Sequence, residues 1–553
     1  MASRFLNNLK SEFRHYNLQS FFKDLLAGLT VAAVALPLAL AFDVSSGADA
    51  AAGLITAIIA GIFISALSGA SFQISGPTGA MAAILISIIS RYRMEGVFLV
   101  TLLAGFFLLL AGLLKIGKII RFIPRPVITG FTSGIALVIA LGQIDSFFGV
   151  KSEGENILQR LLSYARLGFP IQWQVLLIAA FVILVMILWP KKLNSIIPSS
   201  LAGLILATLV SIILNLDIPT IGAIPKTLFP EVRLRLDWNL IKILPNFVSP
   251  ALSIAALGMV ESLLCGSSAL RMKPGSTFDA DQELIAQGLG NMIIPFFGGI
   301  PATAAIARTS VAIKSGNQTR LTGVFHAVIL LASMFLLGPI IAQVPYAALA
   351  GVLMVTAWRM NEWPAIKNMF GKRQISAILK YLVTLAATVV FDLTIAIVIG
   401  VAFAALIFIA NSAKLDVSSS RVKNELLYTS GGDVEAHHSN ATVIYIGGPI
   451  FFGNAERLSE QVYKELTDSE IVIFSMRGVP TIDITGTEVL LDLVKTCQKR
   501  GLIVIFSELS QAARLRLDSA GLADLIGKDC YFPSVDRALL TITEDSRFRE
   551  QER

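Results

Sequence analysis

The sequence predicts an all-α polytopic membrane domain of about fourteen spans arranged as two inverted seven-span repeats, followed by a small α/β domain. Three observations predict it. Hydrophobic residues make up 55% of the 553-residue chain against 15% charged, with a mean hydropathy of +0.72, which is too apolar for an ordinary soluble protein. The apolar blocks run almost without interruption from 24 to about 411, whereas 412 to 553 has the composition of water-soluble sequence. Two short segments, opening the third and the tenth expected spans, share an interrupted texture of glycine, proline, threonine and small residues. The expected divisions are an N-terminal segment at 1–23, a membrane domain at 24–411, a linker at 412–440 and the α/β domain at 441–553.

The first ten residues lack a signal-peptide core with a cleavage site, so they are expected to form a retained amphipathic segment on the cytoplasmic side. A hydrocarbon core of roughly 30 Å takes about 20 residues of helix. Suitable blocks begin near positions 24, 52, 77, 97, 126, 173, 197, 249, 283, 303, 324, 344, 376 and 393. With the N-terminus inside, basic loops belong after even-numbered spans. Lys115 to Arg125, Lys191-Lys192, Arg271 to Lys273, Lys314 to Arg320 and Lys367 to Arg373 fall there, which also puts the carboxyl domain inside; Arg91-Tyr92-Arg93 is the exception. The net charge of +7 is therefore topological and not a nucleic-acid footprint. Cys265, Cys497 and Cys530 have no metal-ligand spacing and form no disulfide framework. His15 and His326 are isolated, and the membrane part holds no nucleophile constellation or phosphate loop, so enzymatic chemistry and a cofactor are not expected.

The interrupted segments are Gln73-Ile-Ser-Gly-Pro-Thr78-Gly79-Ala-Met-Ala82 and Gly298-Gly-Ile-Pro-Ala-Thr303-Ala304-Ala305-Ile306-Ala307. Matching breaks seven spans apart are what an inverted repeat leaves behind. Gly-Pro before a short apolar helix leaves extended backbone and then a helix N-terminus near mid-membrane. Each such end carries roughly half a positive charge, so two facing ends attract an anion without a formal cation. The alternative is that glycine and proline merely let helices pack or kink.

Ionised side chains in a span cost roughly 2.5 to 3.5 kcal/mol and therefore point to a task or a partner. Glu261 stands in the eighth span, the first of the second repeat, and is expected beside the tenth-span break. A carboxylate there repels an anion unless it holds a proton or a cation, which makes it the natural coupling residue. Arg308, one to two turns into the tenth span, strengthens the anion field or pairs with Glu261. Asp43 ends the first span and is read as interfacial, with involvement in the site as the alternative, and Asp392 lies in the turn between the last two spans.

Asp24-Leu-Leu-Ala-Gly-Leu-Thr-Val-Ala-Ala-Val-Ala-Leu-Pro37, Ser75-Gly-Pro-Thr78, and Gln287-Gly-Leu-Gly-Asn291 through Phe297-Gly-Gly-Ile-Pro-Ala-Thr303 to Arg308 together resemble the SulP family of anion permeases, relatives of the solute-carrier group that includes prestin. The resemblance covers nearly the whole chain. It implies a uracil-permease-like fold with core and gate domains, usually a homodimer, moving sulfate, bicarbonate, chloride or dicarboxylates. It implies an anion between the two helix ends, bound at Thr78, Gly79 and the backbone of Ala304 to Ala307, walled by Phe42. Glu261 matches an acidic position that binds sodium in cyanobacterial bicarbonate transporters, with Cys265 where those place threonine. A thiol removes an oxygen ligand that sodium prefers, so proton coupling is favoured. Leu38 replaces a glutamate that many sulfate-type members carry after Pro37, and the 295–308 run is closest to the dicarboxylate branch.

In the tail, Thr442 to Ile446, Glu470 to Ser475 and Leu502 to Phe506 read as strands alternating with helices from about Ala455 and Gly486. The order is similar to the STAS domain, which implies a cytoplasmic regulatory partner. In soluble relatives a serine in the turn matching Asp483-Ile-Thr485-Gly486 accepts phosphate, so Thr485 is a candidate phosphosite or else a helix cap.

The sequence thus points to an H⁺-coupled secondary active importer of C4-dicarboxylates in the bacterial inner membrane, with both termini cytoplasmic. Its alternatives are a sulfate or bicarbonate transporter driven by H⁺ or Na⁺, an uncoupled channel or exchanger, and a membrane-tethered signalling scaffold.

Overall fold

The computed structural model describes residues 2–118, 123–154, 157–190, 192–193, 197–222, 227–235, 244–391, 393–421, 441–466 and 469–544. Arg121, Lys191, Asp392 and most of the expected linker lie outside the described residues. The chain forms two compact units, Met1–Phe403 and Ala404–Arg553.

The first unit opens with helices α1 (Ala2–Phe13), α2 (Leu18–Ser46) and α3 (Ala50–Leu67), a two-residue strand β1 (Ser75–Gly76), and α4 (Gly79–Leu113). Then come α5 (Arg125–Gly142), α6 (Ile144–Phe148), α7 (Ile157–Leu167), α8 (Trp173–Leu188) and α9 (Ser199–Ile213). The later part runs through α10 (Val248–Met272), α11 (Ala280–Ile293), strand β2 (Thr303–Ala304), α12 (Ile306–Lys314), α13 (Leu321–Ile341), α14 (Tyr346–Met360), α15 (Trp363–Gly371), α16 (Ile375–Val390) and α17 (Leu393–Ser412).

An apolar helix begins near each expected block, although α4 carries two of them. Its backbone breaks at Arg93 (φ 55°, ψ −168°), so the expected third and fourth spans are separate rods joined without a loop. Among the described residues, five helices are long and apolar enough to cross a bilayer by length and composition.

The exposure pattern is that of a protein dissolved in lipid. Ile213 and Leu336 are 78% and 77% exposed, while Asp24, Asp43 and Glu283 are 0% exposed. Helices approach closely through glycine: a Cβ at Gly105 would sit 2.6 Å from the Met292 backbone N, and one at Gly288 would sit 2.7 Å from the Leu109 Cα. These two positions bring α4 and α11 into backbone contact, the association available where lipid gives no hydrophobic drive.

Asp24 shows why the first motif starts with an acid. Its buried carboxylate accepts bonds from the Gln318 and Thr319 amides (2.6 and 3.1 Å) and from the Thr319 and Thr322 hydroxyls (2.6 and 2.8 Å), fixing the turn before α13. Helix α1 is tied to the same turn, where Arg320 pairs with Glu12 at 2.8 Å and lies over the Phe5 ring.

The second unit is a five-stranded sheet, β3 (Asp416–Arg421), β4 (Ala441–Gly447), β5 (Ile471–Gly478), β6 (Ile503–Ser507) and β7 (Tyr531–Phe532), in sequential order. Only β3 runs antiparallel to its neighbour. Helices α18 (Ala455–Glu465), α19 (Ile484–Lys499), α20 (Gln511–Ser519), α21 (Leu522–Ile526) and α22 (Val535–Glu544) complete it. Alternate residues of β5 face opposite ways: Val472 and Phe474 join one core with Leu458 and Leu490, while Ile471 and Ile473 join another with Ala538 and Ile542. Strand β3 lies inside the stretch read as linker from 412. Asp416-Val-Ser-Ser-Ser-Arg421 offers one apolar side chain, and its pairing comes from the neighbouring strand.

Candidate functional site

Strands β1 and β2 pair antiparallel, Ser75 opposite Ala304 and Gly76 opposite Thr303. The two interrupted segments therefore touch through their backbones, and each leads into a helix. Antiparallel pairing of like segments is the geometry of a two-fold axis lying in the membrane plane.

Thr78 is the N-cap of α4, its hydroxyl oxygen accepting from the Met81 amide at 3.4 Å. The first intrahelical bond is Ala82 N–H to Thr78 C=O, 2.9 Å, so the Gly79 and Ala80 amides have no acceptor within the helix. Gly79 faces Phe42: a Cβ there would lie 2.9 Å from Phe42 Cε1 and would strike Ile139. The glycine thus lets an aromatic wall close on the helix end.

On the opposite side the sequence expectation needs correction. Thr303 does not start a helix, because its backbone belongs to the two-strand ladder and its hydroxyl bonds Ser262 Oγ at 2.9 Å. The helix begins three residues later, at Ile306, capped by Ala305 without a side-chain bond. Two of the expected anion-facing amides are already engaged: Ala304 N–H donates to Ser262 Oγ (3.2 Å) and Ala305 N–H to Ile74 C=O (3.0 Å). Since the first intrahelical bond is Thr309 N–H to Ala305 C=O, the amides of Ile306, Ala307 and Arg308 are the ones without an intrahelical acceptor.

Arg308 consequently sits in the first turn of α12, closer to the break than the spacing suggested, and is 1% exposed. A cation at a helix N-terminus opposes the dipole, so other groups must hold it. Its Nη2 donates to the Pro77 carbonyl, and Glu261 and Asp43 act on it electrostatically. Its Nε and Nη1 have no hydrogen-bond partner among the described residues.

Glu261, on α10, accepts from the Thr78 hydroxyl at 2.9 Å. Its helix neighbour Ser262 reaches across to Thr303 and Ala304, so α10 touches both interrupted segments. Cys265, one turn further, donates to Thr309 Oγ1 at 3.3 Å, and that oxygen also accepts from the Ile74 amide at 3.1 Å. The structure thus draws Phe42, Thr78, Gly79, Glu261, Thr303 and the 304–308 backbone together, with Cys265 behind them.

Sequence reasoning gave no task to several side chains that hold this frame. Gln73 donates to Ser262 C=O (2.8 Å), and Gln287 to both Ser75 Oγ (2.8 Å) and Glu283 (2.9 Å). Asn291 exchanges two bonds with Ala302, 2.8 and 2.9 Å. The signal was the Gln287 to Asn291 motif, with one polar side chain per turn on an apolar helix. A cavity of about 420 Å³ lies elsewhere, beside Phe5, Glu12, Lys273 and Arg320. Among the described residues, no group of His, Cys, Asp and Glu is arranged to hold a metal.

Residues 21–383 match the sulfate permease family, and residues 434–538 match the STAS domain. The chain belongs to the sulfate permease family. It is 36% identical to the putative sulfate transporter YvdB of Bacillus subtilis over 95% of this chain and 98% of that one. It is 29% identical to the bicarbonate transporter BicA of a Picosynechococcus species, over 93% and 94% of the two chains. The solved transmembrane domain of a cyanobacterial BicA aligns with a TM-score of 0.64 at 30% identity, covering 69% of this chain and 98% of that one. Murine Slc26a9, an anion transporter, shares the fold with a TM-score of 0.83 at 18% identity, covering 98% and 95%. The chain is therefore a multi-pass membrane anion transporter with a STAS domain, and not an enzyme.

In the STAS domain the cap of α19 is Asp483, whose carboxylate accepts from the Gly486 amide at 2.7 Å. Thr485 is an exposed residue of the first turn and does not cap the helix.

Proposed function

We propose that this member of the sulfate permease family is a secondary active importer of small anions, coupled to an ion gradient through Glu261. The observation that carries it is the hydrogen bond from Thr78, the cap of one anion-facing helix, to the Glu261 carboxylate. Loading that carboxylate with a cation changes the charge next to the pocket and the partner of the helix cap together. The anion is held by the Gly79–Ala80 and Ile306–Arg308 amides and the Arg308 guanidinium, with Phe42 as a wall. Protons suit the donor set better than sodium, because Cys265 supplies a soft sulfur already given to Thr309.

Sulfate and bicarbonate, the substrates in the names of the relatives, are the first candidates; the C4-dicarboxylate favoured by the sequence finds no counterpart among those names and is tested beside them. The reading places fourteen spans in two inverted seven-span repeats as core and gate, a homodimer in the bacterial inner membrane, and both termini in the cytoplasm. It also keeps Thr485 as a phosphate acceptor through which a cytoplasmic protein acts on the STAS domain; intact mass of protein from the native host showing no phosphate there removes that element.

The test is uptake into proteoliposomes of sulfate, bicarbonate and succinate in competition, under imposed H⁺ and then Na⁺ gradients. Glu261→Gln is expected to abolish gradient-driven accumulation while leaving counterflow exchange. Unchanged concentrative uptake in that variant overturns the coupling role and favours the channel reading.

A further inference from the structure

Asp43 follows Phe42 near the end of α2 and is 0% exposed, with neither carboxylate oxygen hydrogen-bonded. The sequence reading placed it at the membrane interface, and the structure places it in the core. Its carboxylate lies against Gly53 of α3, where a side chain would collide with it. One turn further along α3, Ala57 underlies the Arg308 region: a Cβ at Gly76 would sit 3.3 Å from Arg308 Cζ and 3.5 Å from Ala57 Cα. Gly53 and Ala57 share a face, about 6 Å apart along the axis. A buried carboxylate without a donor and a buried guanidinium with two unused nitrogens thus lie about one turn apart along the same face of α3, each lacking among the described residues the hydrogen-bond partners that burial requires.

The ionisable surroundings of Asp43 are few. Asp49, in the turn after α2, and Arg308 act on it directly, and Glu261 acts on Arg308. His326 of α13 packs at Gly61, two turns beyond Gly53, and α9 carries no ionisable side chain. Arg91, Arg93 and Glu95 at the α4 break are exposed, Asp24 is bonded at the opposite end of α2, and Tyr346 and Arg359 lie at the two ends of α14.

We propose that Asp43 is a second coupling carboxylate, which holds a proton while the anion occupies Arg308 and pairs with Arg308 when the pocket is empty. The proposal rests on the reading of Glu261 and adds one proton per cycle to it. Glu261, Asp43 and Arg308 sum to minus one when all are ionised and to plus one when both acids are protonated. A dianion entering the doubly protonated pocket restores the total to minus one, so the empty and loaded carriers bear the same charge. Both protons come from the outer solution and leave with the anion, and the turnover is electroneutral for a dianion. With a single coupling acid, the same turnover carries one net negative charge.

The test uses the full chain in proteoliposomes, with radiolabelled sulfate and succinate and a lumenal pH dye reporting protons per anion. Wild type is expected to move two protons per dianion without response to membrane potential. Asp43→Asn and Asp43→Ala are expected to move one and to become potential-sensitive. If either variant fails to transport, calorimetry of sulfate binding in buffers of different ionisation enthalpy counts the protons taken up, and the count is expected to fall by one. A wild-type proton count in the variants overturns the proposal and leaves Glu261 untouched. Anion uptake by wild type without proton movement overturns the Glu261 reading and this one with it.

Discussion

Under the proposed function, Arg308 is the residue on which the pocket's affinity turns. It is fully buried, at a helix end whose dipole disfavours it, with two nitrogens unsatisfied, so an incoming anion supplies what the fold withholds. A hydrogen bond to a charged group contributes about 1.5–3 kcal/mol, so Arg308→Ala is expected to raise the apparent Kd for sulfate about tenfold to a hundredfold. Binding to detergent-solubilised protein checks it, and an unaltered Kd removes Arg308 from the site. In the STAS domain, burial pushes the Cys497 thiol up to about 11 against an ordinary 9.0, with Arg500 opposing. The folded state therefore keeps its proton longer than the unfolded chain does. The corresponding stability is fully present below about pH 9 and is lost as pH rises toward 11. Urea titrations of the whole protein across that window, followed by alkylation of Cys497, are expected to show the decline, and Cys497→Ala is expected to flatten it.

At the scale of elements, small features decide where the helices begin and end. Asn291 holds the segment before β2 by bonding both the amide and the carbonyl of Ala302. Asn291→Ala leaves those backbone groups buried and unpaired, which costs about 1–3 kcal/mol for each. Thermal unfolding is expected at lower temperature, with anion binding weakened in parallel. Arg93 shows the reverse case, a side chain where the backbone asks for glycine, with φ 55° and ψ −168°. Arg93→Gly is expected to stabilise by about 1 kcal/mol, read as a raised unfolding temperature at unchanged uptake.

These elements also show what the sequence reveals. Helix starts are legible because hydropathy and Gly-Pro breaks are local, as at Thr78. The β1–β2 ladder is not, because two residues have no periodicity and the pairing joins segments far apart in the chain. That ladder moved the tenth-span start from Thr303 to Ile306. Asp43 reads as interfacial for a related reason: an acid at the end of an apolar run looks exposed until the neighbouring helices cover it.

For the whole molecule, the sulfate permease match ends at 383, the STAS match begins at 434, and the chain divides into compact units after Phe403. The first unit buries Asp24, Asp43 and Glu283 while leaving Leu188, Ile213 and Leu336 exposed, as a lipid solvent permits. The signs of the basic loops gave a topology whose direct check is cysteine labelling from each side of the membrane. A reagent that does not cross the bilayer is expected to reach a cysteine placed at Lys118 only from the cytoplasmic side. Labelling from outside reverses the orientation.

The backbone bonds between Ser75–Gly76 and Thr303–Ala304 have a mechanical consequence. They fasten the starts of the two half-helices to each other like a clasp, so that α4 and α12 are tied at their N-terminal ends. Under the proposed function, a change of access from one compartment to the other leaves this clasp shut. The proposed anion site then moves as part of that block.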